Sequence, residues 1–98
     1  MPLPIFIDID GTLTDSPHKG GSGLPERIAA VEALIARGRE VVLWSACGTD
    51  YVRDFAKKYG LRPIACIGKP DKAVDDRPTI RPAGSMPVVC PEDFFDCA

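Results

Sequence analysis

Pro4-Ile5-Phe6-Ile7-Asp8-Ile9-Asp10-Gly11-Thr12-Leu13-Thr14-Asp15 is the stretch that decides the fold. From Pro4 to Ile9 the residues are β-branched or aromatic, and no polar alternation appears before Asp8. That is the pattern of a strand covered on both faces, hence of a central strand. Asp10-Gly11 is a turn signal that ends it. The following segment, Thr12 to Gly23, is rich in Gly, Ser, Thr and Pro and reads as an irregular loop.

Downstream, Pro25 stands at a first helical position, and Ile28, Val31, Leu34 and Ile35 recur at helical spacing until Gly38 provides a stop. Glu40 to Trp44 is a second apolar run, closed by Ser45. Gly48-Thr49-Asp50 offers capping groups for a second helix carrying Tyr51, Val52, Phe55 and Tyr59, with Gly60 at its end. Pro63 to Ile67 reads as a third strand, Ala73-Val74 as a very short fourth and Met86 to Val89 as a fifth. Pro91 to Phe95 is expected to form a terminal turn whose aromatic pair docks on the core. Strands alternating with helices predict parallel pairing through right-handed crossovers. The expected architecture is a three-layer α/β/α, Rossmann-like single domain over residues 1–98, with a mainly parallel sheet of about five strands and no cap domain. No internal repeat or linker is visible.

Composition excludes several classes. With 98 residues, 45% hydrophobic and 27% charged, the chain has room for one globular domain. Twelve basic residues are scattered among fourteen acidic ones, for a net charge of −2, so the concentrated basic stripe of a nucleic-acid binder is missing. Nucleic acid enters only as a phosphorylated end that could serve as substrate. No apolar run approaches the roughly 20 residues that span a bilayer, and no export signal is legible. A reducing cytoplasm is the expected compartment. The four cysteines, Cys47, Cys66, Cys90 and Cys97, contain no Cys-x-x-Cys pair and lie far from the single histidine, His18. They are expected to be buried structural thiols rather than zinc ligands.

In open parallel α/β sheets, ligands bind outside the carboxyl ends of the strands. The reactive residues just after the apolar runs are Asp8 and Asp10, then Ser45, then Lys69, then Asp75 and Asp76. Each expected strand delivers a reactive group to one rim, and the inventory fits phosphoryl transfer. Carboxylates can hold Mg²⁺, one carboxylate can attack phosphorus, and a lysine with a hydroxyl can steady the non-bridging oxygens. Two carboxylates ending a buried strand are costly without such a purpose. Arg77, beside the acidic pair, is a candidate for an anionic substrate, ahead of Arg53. His18 and Trp44 read as an exposed bystander and as core or rim packing.

Residues Ile5 to Asp15 resemble the first motif of the haloacid dehalogenase superfamily of phosphohydrolases. Val41-Val42-Leu43-Trp44-Ser45 is similar to its second motif, Gly68-Lys69-Pro70 to its third and Ala73-Val74-Asp75-Asp76 to its fourth. The resemblance implies Asp8 as nucleophile and metal ligand, and Asp10 as general acid and base that also binds metal through its backbone carbonyl. It implies Ser45, with backbone N–H groups near Ala46 at the following helix N-terminus, as phosphate contacts, Lys69 as charge neutraliser, and Asp75 with Asp76 completing the Mg²⁺ site. Lys69 lies only six residues before Asp75, so it must come from a tight loop. The segment from Thr12 to Gly23 is too short for a lid, so an open site is expected, one that a second copy of the chain could cover. The expected function is Mg²⁺-dependent hydrolysis of a phosphate monoester, either a small molecule or a nucleic-acid end. The competing reading is a non-enzymatic phospho-signalling or binding module, similar to a response-regulator receiver domain. Against it, a receiver's acidic pair precedes its phospho-accepting aspartate, whereas here the pair comes last.

Overall fold

A computed structural model describes residues 3–72, 74, 76 and 88–95. Strand β1 (Ile5–Asp8) is followed by helix α1 (Pro25–Ala36), β2 (Val41–Ser45), α2 (Thr49–Tyr59), β3 (Ala65–Gly68) and a short α3 (Pro91–Phe95). The strands form a parallel sheet in the order β1-β2-β3, with Ile7 beside Leu43 beside Cys66 and Asp8 beside Trp44 beside Ile67.

Each helix starts and stops where backbone chemistry requires. Pro25 occupies the start of α1, where its missing N–H costs nothing. At the other end Gly38 takes φ +87°, letting its N–H reach the Ile35 carbonyl and that of Arg39 the Leu34 carbonyl. α2 ends in the same way. Gly60 is left-handed, and the N–H of the buried Leu61 bonds the Ala56 carbonyl. At the start of α2, Gly48 of the expected capping group is the N-cap residue, but neither Thr49 nor Asp50 supplies a side-chain cap.

Both helices pack on one face of the sheet. Because side chains alternate along a strand, Ile7, Val41 and Leu43 share a face. They join Ile28, Val31 and Leu34 of α1 and Val52, Phe55 and Ala56 of α2 in one buried cluster, with Cys66 packed against it. Two right-handed crossovers that step in the same direction across a sheet put both helices on the same side. The other face carries Phe6, Val42, Trp44 and Ile67, with Phe6 42% exposed and set edge-on to Trp44 at 4.7 Å.

The structure therefore corrects the expected architecture. Among the described residues the sheet has three strands rather than five, and helices α1 and α2 cover one face rather than two. β1 has β2 as its only neighbour there, so it is not shown as a central strand. Val74, expected in a fourth strand, is 96% exposed, and Val88 and Val89 of the expected fifth lie outside any strand. Ala73, Met86 and Pro87 lie outside the described residues. Among the described residues, Val74, Val88 and Val89 carry no strand pairing, since one or two residues alone cannot fix a register against a neighbour. At the C-terminal end, Phe95 packs on the core beneath the Arg27 guanidinium, but Phe94 stays 39% exposed. Only one of the aromatic pair docks.

Of the cysteines, Cys47 and Cys90 are exposed and Cys66 is half-buried, all three as free thiols. Burial pushes the Cys66 thiol up, against the opposing charge of Arg53. The expected burial fails at Cys47 because that residue sits in a rim turn, not on a packed face. Cys97 lies outside the described residues. No described helix is long and apolar enough to cross a membrane.

Candidate active site

The sharp bend after β1 builds the site. The N–H groups of Thr12, Leu13 and Thr14 all converge on the Ile9 carbonyl, at 3.1, 2.8 and 3.3 Å, while Gly11 takes φ +78°. Ile9 and Leu13 are fully buried and pin this turn to the core. A side chain at Gly11 would be strained at that φ and would press on the Pro17 backbone. The supposedly irregular loop is more ordered than its composition implied. Thr14 and Gly23 form an antiparallel bridge, and Asp15 accepts from the Ser22 N–H at 2.9 Å.

This bend separates two carboxylates into different surroundings. Asp8 faces the Lys69 ammonium at 3.2 Å through Oδ1 and accepts from the Thr12 hydroxyl at 3.1 Å through Oδ2. Asp10 has no cation as partner among its described contacts. Its Oδ1 accepts from the Tyr51 hydroxyl at 2.5 Å, and its Oδ2 from Ser45 Oγ at 3.3 Å and Cys47 Sγ at 3.5 Å. Neighbouring carboxylates placed in contrasting environments are the usual arrangement for dividing chemical roles.

Lys69 reaches Asp8 from the very end of β3. Its backbone N–H bonds the Ser45 carbonyl at 2.8 Å, extending the β2–β3 ladder one residue past Gly68. Gly68 in turn donates to the Thr49 hydroxyl at 2.9 Å, and a Cβ there would meet the Gly48 backbone at 3.2 Å. This close approach of β3 to the start of α2 explains Gly68, while Gly48 is required by its φ of +103°, and the contact gives Thr49 a role other than capping. The ammonium also lies 5.8 Å from the Trp44 ring, so Trp44 is rim packing that steadies Lys69. With the Lys69 side chain 41% exposed and that of Asp8 29%, the pair adds at most about 1 kcal/mol to stability. The pair is open to solvent.

Ser45 is almost fully buried, and its Oγ also accepts from the Cys47 N–H at 3.0 Å. Ala46 is exposed in the turn before α2, which begins three residues later at Thr49, so Ala46 does not belong to a helix N-terminus as expected. His18 is exposed and bonds only locally, to Ser16 Oγ. Arg53 lies near Asp50 at 3.8 Å on the surface of α2. Asp76 is exposed, while Asp75 and Arg77 lie outside the described residues. Among the described residues no group of three or more metal-ligating side chains is assembled.

No family model, curated protein or solved structure matches this chain.

Sequence reasoning missed Tyr51, Cys47 and Thr12 as parts of the site. Tyr51 was legible as an apolar member of α2, and its ring does pack against the core. Its place in the first turn of a helix that starts at the carboxyl edge of β2 was the available signal, since that position aims a long side chain at the rim. Burial, followed by the hydrogen bond to Asp10, pushes the Tyr51 phenol up from 10.0 to about 12. A pKa raised on folding contributes stability that is complete below about pH 10 and lost as pH rises through about 12. Alkaline titration followed by tyrosinate absorbance should show a phenol ionising near pH 12 that Tyr51→Phe removes. Complete ionisation of both tyrosines near the ordinary value of about 10 would show that this hydroxyl is not held.

Proposed function

We propose that this chain is a Mg²⁺-dependent phosphomonoester hydrolase of the haloacid dehalogenase type, with Asp8 as nucleophile and Asp10 as general acid and base. The observation that carries the reading is the contrast between the surroundings of two carboxylates two residues apart. Asp8 faces an ammonium at 3.2 Å, while Asp10 is held by neutral donors on the side of Ser45. On this reading Asp75 or Asp76 completes the metal site and Arg77 binds the anionic substrate.

The described donors suit a hard cation, since Asp8 and Asp10 offer carboxylate and carbonyl oxygen at a solvent-open edge. Mg²⁺ characteristically takes one or two carboxylates and keeps several waters. Asp8, the Asp10 backbone carbonyl and Asp75 or Asp76 would hold it. When bound, it offsets the repulsion between an anionic nucleophile and an anionic ester.

The chain's own residues then carry two displacements. Asp8 attacks phosphorus and the bond to the leaving oxygen breaks, with the Asp10 carboxyl passing a proton to that oxygen. Lys69 balances the charge of the nucleophile as it is phosphorylated, and the Ser45 hydroxyl, which donates to Asp10 Oδ2 at 3.3 Å, turns to donate to a non-bridging oxygen. Water next attacks the aspartyl phosphate and gives its proton to Asp10. The bond to Asp8 breaks and inorganic phosphate leaves. An open rim suits a projecting phosphate such as a nucleic-acid end, or a small ester if a second copy of the chain covers it.

The test is repeated turnover of p-nitrophenyl phosphate with and without Mg²⁺. Many turnovers per chain with Mg²⁺ and a return to background in chelator are expected. A single stoichiometric phosphorylation would favour the signalling module, and no phosphorylation at all a binding protein.

A further inference from the structure

Asp10 has two carboxyl oxygens, and the fold treats them differently. Oδ2 lies toward Ser45 Oγ, the candidate phosphate contact, at 3.3 Å. Oδ1 points the other way and accepts the Tyr51 hydroxyl at 2.5 Å, within the range of a short bond to a carboxylate. Tyr51 is itself held from several directions. Its backbone belongs to the first turn of α2, its ring packs against the buried cluster, and the Lys19 ammonium lies 5.5 Å from the ring centroid.

We infer that Tyr51 is a positioning residue that locks Asp10 by its Oδ1, so that Oδ2 faces the scissile ester and exchanges the proton with the leaving oxygen. This rests on the phosphohydrolase reading and adds to it a residue that none of the sequence motifs contains. A carboxyl group free to rotate would present either oxygen and would spend part of its time turned from the ester. A fixed donor on one oxygen removes that freedom before substrate arrives. Tyr51 does not touch the reacting atoms. Its effect must therefore pass through Asp10 and appear only where proton transfer to the leaving group matters.

That requirement makes the idea testable with two esters. p-Nitrophenolate leaves readily without a proton, whereas an alkoxide such as that of β-glycerophosphate does not. In Tyr51→Phe, which keeps the ring and its packing, kcat/KM for β-glycerophosphate should fall about 10- to 100-fold, part of the full contribution of a general acid. With p-nitrophenyl phosphate, kcat/KM should change by less than about threefold. In an Asp10→Asn background, adding Tyr51→Phe should cost nothing further on the alkyl ester, because the group it positions is already gone. Circular dichroism and melting of the variant check that the fold is kept. Equal losses on both esters, no loss on the alkyl ester, or a full additional loss in the Asp10→Asn background would each overturn the inference. Absence of turnover by the unmodified chain on both esters would instead overturn the phosphohydrolase reading, and this inference with it.

Discussion

Asp8→Asn is expected to lower turnover of any phosphate ester by about 10³-fold or more, with the fold intact. The substitution is nearly isosteric, and the Thr12 hydroxyl can still donate to the remaining carbonyl oxygen at that position. What disappears is the anionic oxygen that attacks phosphorus on the proposed mechanism, and with it the counter-charge that faces Lys69 at 3.2 Å. A carboxamide is a poor nucleophile and cannot form the acyl phosphate. No phosphorylated enzyme should accumulate on rapid quench, and the melting temperature should stay within about 2 °C, because an exposed ion pair is worth little stability. Metal-dependent turnover retained by this variant would dispose of the covalent mechanism and leave Asp8 as a ligand or a bystander.

Leu43→Ala should produce the largest loss of stability. Leu43 is fully buried at the centre of β2, between Ile7 and Cys66, and belongs to the cluster that joins the sheet to α1 and α2. Truncation removes transfer energy and leaves a cavity that a β-strand paired on both sides cannot easily close. The cost should be about 3–5 kcal/mol, equivalent to a fall in melting temperature of about 15 °C or more for a domain of this size. Phe6→Ala, on the opposite face at 42% exposure, should lose less than half as much despite removing a larger side chain. Urea unfolding of the two variants gives the comparison. Equal losses would mean that the buried core is not confined to the helix-covered face.

How far the site could be read in the sequence depended on the range of the interactions involved. Asp8, Asp10, Ser45 and Lys69 were legible because each ends a strand or lies within two residues of its end, and parallel strands bring their carboxyl ends to one edge whatever the details of packing. Lys69 was the hardest of the four. A six-residue interval to Asp75 gave no hint that the β2–β3 ladder continues through its own N–H to the Ser45 carbonyl. Thr49 and Ala46 were misread for a related reason. Capping propensity is local, but the close approach of Gly68 to Gly48 makes the Thr49 hydroxyl accept from another strand and delays the helix start beyond Ala46.

Local chemistry in the sequence determined the elements themselves. Pro25 and Gly38 bound one helix, Gly60 ends the other, the first three apolar runs make strands, and Asp10-Gly11 turns the chain after the first of them. Only the tertiary structure decided which face of the sheet is covered, which cysteines are exposed, and that the oxygens of Asp10 are divided between Ser45 and Tyr51. The physical reason is that spacing along a chain fixes which side chains share a face, since that follows from the backbone repeat. Contacts such as Tyr51 with Asp10, 41 residues apart, depend on how one packed layer is set against another, and no local preference encodes that.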